Sequence, residues 1–187
     1  MELLQKFMFN STNKLFNNHT SDNIFKEFEQ RFRSILYQGY PHLSTLCIDC
    51  YTASQYKQQE NIPQIEWQSS DTFAYSIDLK SDGVQRTVFA AIILSPELCE
   101  LFNFTRMEKM AAIAHEVGHI IHHFNNALNG AGTMMKEIKA DEIAAKLGLA
   151  VPLKSVLHKL KSSERYSKEQ CKLMDLRIQV LNDYDVS

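Results

Sequence analysis

The apolar positions of residues 21–39 recur at helical spacing. Three or four residues separate most neighbours in this run, which places them on one face of an α-helix. The stripe consists of Ile24, Phe28, Phe32, Ile35 and Leu36. Gly39 ends the pattern, so the sequence predicts one amphipathic helix from Ser21 to Gly39. Residues 1–20 are rich in asparagine and weakly patterned, and we expect an arm or a short helix there.

The middle of the chain changes to short apolar runs of strand length. Residues 45–52 form one candidate strand, and residues 72–80 and 84–94 form two more. The sequence Ser81-Asp82-Gly83 between the last two runs is a turn signal, and it predicts a β-hairpin.

After Pro96 the helical spacing returns. Thr105-Arg-Met-Glu108 is a capping-box sequence, which predicts a helix that begins there and runs to about Leu128. Its apolar stripe consists of Met107, Met110, Ile113, Ala114, Val117, Ile120, Ile121 and Phe124. A second helix is expected over residues 133–147, because Gly148 is a typical helix terminator.

Two further helices complete the C-terminal half of the chain. Pro152 opens a short third helix, and Ser167-Lys-Glu-Gln170 caps a fourth. The buried side of the fourth helix would consist of Cys171, Met174, Ile178 and Leu181. The order of helix, strands and helical half predicts a single α+β domain over residues 1–187, with a small mixed sheet.

The composition narrows the class of protein. A chain of 187 residues with 44% apolar and 22% charged positions is typical of a globular domain. Its 20 basic and 22 acidic residues give a formal charge of -2, which does not favour nucleic-acid binding. No apolar run reaches the roughly 18 residues of a membrane span, and the N-terminus lacks the apolar stretch of a secretory signal. We therefore expect a cytoplasmic monomer without a membrane span.

Cys47 and Cys50 have the CxxC spacing of zinc and redox sites. Their segment predicts a strand, however, and residues three apart on a strand point to opposite faces. A zinc knuckle also needs a second pair, whereas Cys99 and Cys171 stand alone. We expect the CxxC cysteines to pack in the core.

The helix predicted after Thr105 contains the sequence His115-Glu116-Val-Gly-His119. Residues four apart share a helix face and lie about 6 Å apart along its axis, so the two imidazoles can converge on one metal ion. Glu116 is offset by one residue and can reach a metal-bound water. Two ligands and a base on one helix are typical of zinc peptidases. The alternative is a solvent-exposed helix face that happens to be rich in histidine.

A catalytic zinc site needs a third protein ligand and leaves one position for water. Glu137 lies 18 residues after the second histidine, and Asp141 follows one helical turn later. Glu137 would bind the metal, while Asp141 would accept the other ring N–H of a ligand histidine. Ile138 and Ala144 fix the buried face of this helix and leave Glu142 beside solvent. We therefore prefer Glu137 over Glu142 as the ligand.

Two more histidines follow in the same helix. His122 lies seven residues after His115, about 10.5 Å along a straight helix, which is too far for two ligands of one zinc ion. His123 belongs to another face. We expect both to lie at the surface or to line a cleft, and the same holds for His42 and His158.

The sequences His115-Glu-Val-Gly-His119 and Glu137-Ile-Lys-Ala-Asp141 resemble the HExGH and ExxAD motifs of gluzincin-type zinc metallopeptidases. Over about residues 84–180 the chain is similar to the catalytic core of the CAAX-prenyl and heat-shock membrane proteases and their small soluble relatives. The phage-repressor-cleaving zinc proteases, which share HExxH with a downstream glutamate, are a second similar group.

This resemblance implies a zincin-like fold in which an edge strand precedes the active-site helix. It implies a Zn2+ ion held by His115, His119 and Glu137, with Glu116 as the general base of a zinc-dependent endopeptidase. The substrate would be a peptide or protein, and the strand at 86–94 would pair with it in extended form.

Three side chains are candidates for an additional donor to the oxyanion of peptide hydrolysis, namely Arg165, Tyr166 and Arg177. Arg177-Ile178 is similar to a late Arg-Ile pair of the family, but we expect a structural role for each candidate and assign none. Two other functions stay open. One is a non-cleaving zinc-binding regulatory protein or latent protease, against which the intact Glu116 argues. The other is a zinc hydrolase with a substrate other than a peptide.

Overall fold

Three strands form a parallel sheet in the part of the chain that the structure describes. The computed structural model describes residues 14–58, 90–125 and 128–184. In sheet order the strands are β1 (Phe16–Asn18), β2 (Ile48–Thr52) and β3 (Ala90–Leu94). Phe16 is opposite Ile48, and Cys50 is opposite Ile92. We predicted a mixed sheet, but both pairings among the described strands are parallel.

The two strands expected at 72–80 and 84–94 fall largely on residues outside the described ranges. The whole of the first, the turn at residues 81–83 and residues 84–89 lie there, so the predicted hairpin stays a prediction. The last five residues of the second run form β3, and all five of its side chains are buried. A strand buried on both faces is typical of a parallel sheet that is covered on both sides.

The chain before residue 21 contributes to the core. We expected an arm or a short helix over residues 1–20, but β1 is a strand, and Leu15 and Phe16 are buried. The Ile48 amide donates a hydrogen bond to the Leu15 carbonyl, which extends the pairing. Three residues are too few to show an alternating pattern, which explains why the sequence did not predict this strand. Residues 1–13 lie outside the described part of the chain.

Seven helices are present in the described ranges. They are α1 (Ile24–Gly39), α2 (Ala53–Lys57), α3 (Pro96–Leu101), α4 (Arg106–Phe124), α5 (Thr133–Lys146), α6 (Ala150–Lys161) and α7 (Lys168–Asn182). A 3₁₀ helix spans Pro41–Thr45. The predicted capping boxes of Thr105 and Ser167 are both formed, and Gly148 follows α5 with a positive φ of 74°. The helix predicted to open at Pro152 begins two residues earlier, with the proline in its first turn, where no backbone N–H is needed.

Helix α1 confirms the predicted stripe except at one position. Ile24, Phe28, Phe32 and Leu36 are buried, but Ile35 is 51% exposed. At 100° per residue, Ile35 lies about 60° around the helix from Phe32 and 100° from Leu36, so it is turned away from the side buried at this end.

The cysteines of the CxxC sequence differ in environment. Cys50 is buried in β2, and burial raises the pKa of its thiol well above the ordinary value. Cys47 precedes the strand and is exposed, so the prediction that it packs in the core is wrong. Both thiols are free, as are those of Cys99 and Cys171.

Helix α4 runs through the core and carries His115, Glu116 and His119. Its buried apolar side chains are Met110, Ala111, Ile113, Ala114, Val117, Ile120 and Ile121. Gly118 packs against α5, where a Cβ atom would lie 2.8 Å from Cα and O of Ala140. None of the helices in the described ranges is long and apolar enough to cross a bilayer.

Candidate metal centre

Three side chains from two helices converge on one point. His115 and His119 lie one turn apart on α4, and Glu137 lies in the second turn of α5. The Nε2 atoms of the two histidines are 3.1 Å apart. Glu137 places Oε2 3.4 Å from Nε2 of His115 and Oε1 3.3 Å from Nε2 of His119. These side chains form a group that could hold a metal ion.

The spacing of these atoms fits one small divalent cation. Ligands that bind a tetrahedral zinc ion at about 2.0–2.1 Å are about 3.3–3.4 Å from one another. The Nε2 atoms of His115 and His119, 3.1 Å apart, are close to one edge of such a tetrahedron. A different oxygen of Glu137 lies near each nitrogen, at 3.4 Å from His115 and 3.3 Å from His119. Two imidazoles and one carboxylate are also a ligand set found in catalytic zinc sites.

A second carboxylate fixes the orientation of the first histidine. Nδ1 of His115 lies 2.7 Å from Oδ1 of Asp141, whose side chain is 1% exposed. Burial would raise the pKa of Asp141, but His115 and Arg177 hold it below its ordinary value. An ionised carboxylate only accepts hydrogen bonds, so Nδ1 of His115 donates to Asp141 and Nε2 is the ring atom that faces His119 and Glu137.

Arg177 on α7 joins both carboxylates. Its Nε and Nη2 atoms donate to the two oxygens of Asp141 at 2.7 and 2.8 Å, and Nη1 donates to Oε2 of Glu137 at 2.8 Å. The arginine side chain is 11% exposed. We had not assigned Arg177 to the site. The likeness of Arg177-Ile178 to a late Arg-Ile pair was the one signal in the sequence that pointed to it.

The ionisation of the cluster suits a cation site. Burial would raise the pKa of Glu137, but hydrogen bonds with His115 and His119 hold it far below its ordinary value. Burial and the charge of Arg177 would lower the pKa of His115, but Asp141 and Glu137 outweigh them and raise it to about 9. Without a metal ion the cluster therefore favours an anionic glutamate with a proton on the imidazole, and a bound cation would displace that proton.

Glu116 interacts electrostatically with the same group. Burial raises the pKa of its carboxyl above the ordinary value, while the charges of His115 and His119 partly oppose that change. Glu137 raises it further and Arg177 lowers it, so Glu116 interacts with both of these side chains. A half-buried carboxyl with a raised pKa, next to a cation site, is suited to accept and release a proton.

The remaining candidate residues lie elsewhere. Glu142 binds Nζ of Lys139 at 2.7 and 2.9 Å and is not part of the cluster of ligand atoms. His122 is half-buried, and its Nε2 donates to the carbonyl of Lys139 at 3.0 Å, which ties α4 to α5. His123 and His158 are exposed. His42 is half-buried, and its ring makes a T-shaped contact with the ring of Tyr40.

Arg165 and Tyr166, the other two candidates for an oxyanion donor, lie in the segment between α6 and α7. Tyr166 packs against the rim of the hydrophobic core, and Arg165 is exposed in the segment between α6 and α7.

Comparisons with known proteins found no match for this chain. No family model matches the chain, and no curated protein and no solved structure is similar to it.

Proposed function

We propose that this protein is a zinc-dependent endopeptidase that hydrolyses peptide bonds in a peptide or protein substrate. The observation that carries the proposal is the convergence of His115, His119 and Glu137, with Glu116 next to the first histidine on α4. A structural metal site would need no ionisable carboxyl beside its ligands. A catalytic site does need one, to move protons during hydrolysis.

Zinc is the ion that this set of donor atoms favours. Imidazole nitrogens suit zinc, and two histidines with one glutamate make a three-ligand set that leaves one position open. When bound, a zinc ion would lower the pKa of water and polarise the carbonyl of the scissile peptide bond.

The chain's own residues would handle the proton. Glu116 would accept the proton of the attacking water and deliver it to the nitrogen of the leaving amine. Its raised pKa, which burial causes, brings the carboxyl closer to the working pH of such a step. Asp141 would keep the Nε2 lone pair of His115 directed at the metal.

The preference for a peptide substrate comes from the resemblance to gluzincin-type peptidases and from strand β3. That strand precedes the helices of the site and lies at one side of the sheet formed by the described strands. A peptide substrate could add to such a strand through backbone hydrogen bonds.

The test is cleavage of casein and of a peptide library by the zinc-loaded full chain and its Glu116→Gln variant. We expect the variant to keep its zinc and to lose about 100-fold or more of the activity, which is the usual contribution of a general base. Glu142→Gln is the matched control, because Glu142 lies outside the cluster. Zinc without cleavage in the wild type would instead support a non-cleaving binding protein. Full activity in Glu116→Gln would remove Glu116 as the base.

A further inference from the structure

The two oxygens of Glu137 have different surroundings. Oε2 lies 3.4 Å from Nε2 of His115 and also accepts a hydrogen bond from Nη1 of Arg177 at 2.8 Å, whereas Oε1 lies 3.3 Å from Nε2 of His119 and has no contact with Arg177 among the described hydrogen bonds. A charge-assisted hydrogen bond from a guanidinium is among the stronger contacts that a carboxylate oxygen makes. Oε1 is therefore the oxygen that is more readily given to a cation.

The guanidinium of Arg177 is held in place by its other contacts. Nε and Nη2 form a two-pronged contact with both oxygens of Asp141, and the side chain is 11% exposed. Because the guanidinium is planar, fixing two of its nitrogens also fixes the direction of the third. Nη1 is thus directed at Glu137 by the geometry of the Asp141 contact.

We propose that Arg177 is a positioning residue that reserves Oε2 of Glu137, so that Glu137 offers a metal ion only one oxygen. This inference rests on the metal site of the proposed function. A carboxylate that used both oxygens would occupy an additional place around the ion, whereas a catalytic zinc site keeps a place open. In this role α7, through Arg177, keeps that place available.

A lysine at this position could not direct a donor at Glu137 in the same way. Its ammonium is a point charge on a flexible stem, and it lacks the fork that binds Asp141 and directs a third nitrogen at Glu137. Arg177→Lys therefore keeps a charge and a donor but not the fixed direction. Arg177→Met removes both and leaves Oε2 without this partner.

The test uses Co2+ in place of zinc, because four-coordinate cobalt absorbs visible light more strongly than cobalt with more ligands. We expect the visible absorption per bound cobalt to fall about twofold or more in Arg177→Met, as Glu137 becomes a two-oxygen ligand. Arg177→Lys should retain more of the wild-type absorption than Arg177→Met. Lys172→Gln is the control, since Lys172 is exposed on the same helix. Wild-type absorption in a folded, cobalt-loaded Arg177→Met would overturn the inference.

A second measurement does not depend on the folding of any variant. X-ray absorption of the cobalt-loaded wild type should show one carboxylate oxygen bound, without the short metal–carbon distance of a chelating carboxylate. A chelating Glu137 in the wild type would overturn the role of Arg177 and leave the metal site standing. A wild type that binds no cobalt would instead overturn the metal site itself.

Discussion

Gly118 of α4 lies directly against the backbone of Ala140 in α5. A Cβ atom on Gly118 would come within 2.8 Å of both Cα and O of Ala140. The two helices therefore approach more closely here than any side chain larger than hydrogen allows. His119 follows Gly118, and Glu137 lies three residues before Ala140, so this contact brings together the ligand atoms of the candidate metal centre.

Replacing this glycine should damage both stability and the metal site. In Gly118→Ala the methyl group meets backbone, which cannot rotate away, so the helices must separate. We expect a net loss of about 1–2 kcal/mol in the free energy of unfolding by urea, and weaker binding of zinc.

Gly39→Ala is the control for that substitution. Nothing lies within 4 Å of a Cβ atom on Gly39, which is the last residue of α1. This variant should be as stable as the wild type or slightly more stable, because alanine reduces the freedom of the unfolded chain. Equal stability of the two variants would contradict the importance of the close contact.

Asp141→Asn should weaken metal binding without removing a proposed ligand. An asparagine side chain can also donate, so Nδ1 of His115 loses its dedicated acceptor and Arg177 loses half of its two-pronged contact. We expect the affinity for zinc to fall about 10- to 100-fold, measured by competition with a chromophoric chelator. Asp175→Asn, at a partly exposed ion pair with Lys161, should change it little.

An acid-dependent loss of stability is expected at the start of α4. Glu108 is 3% exposed and accepts hydrogen bonds from the Thr105 amide, the Ser155 hydroxyl and Nζ of Lys159. Burial would raise the pKa of Glu108, but the bonds from Lys159 and Ser155 lower it from 4.5 to about 2. The stabilisation is therefore complete above about pH 4.5 and is lost as the pH falls towards 2.

Unfolding measured against pH in the wild type and in Glu108→Gln tests this expectation. The variant should be less stable near neutral pH by up to about 3 kcal/mol, and the difference should shrink between pH 4.5 and 2. Glu100→Gln, at an exposed carboxylate of α3, should follow the wild type. A difference that stays constant across this range would show that the charge of Glu108 is not what stabilises the contact.

Most of the correct predictions came from patterns within a few residues of each other in sequence. The capping boxes of α4 and α7 satisfy backbone groups within a few residues, so they are visible as short motifs. The spacing of His115 and His119 is likewise a property of one helix, and Glu137 and Asp141 follow from the spacing of the next.

The features that the sequence did not predict depend on contacts between segments that are distant in sequence. Arg177 reaches Glu137 across 40 residues of sequence. Its spacing from Met174 and Leu181 places it on the buried side of α7, but spacing alone does not tell which side chains it contacts. β1 is a strand because it pairs with β2, not because its three residues favour that state. Cys47 and Ile35 are exposed because of where the packed core ends, which spacing alone does not reveal.

The thiols offer a simple check of these local environments. Cys47 is exposed, whereas Cys50 and Cys99 are buried, with burial raising the pKa of all three. We expect a maleimide to modify Cys47 before Cys50 and Cys99 in the folded protein, as followed by mass spectrometry of the digested chain. Equal rates at Cys47 and Cys50 without denaturant would contradict the packing of β2.

The zinc content of the full chain, measured by equilibrium dialysis, decides whether the candidate metal centre binds a metal. His119→Gln removes one proposed ligand, and His123→Gln is the matched control on the exposed side of the same helix. We predict one zinc ion per chain in the wild type and in His123→Gln, and a loss of bound zinc in His119→Gln. A wild type that binds no zinc, or a His119→Gln variant that binds zinc as the wild type does, would contradict the assignment of His115, His119 and Glu137 as ligands.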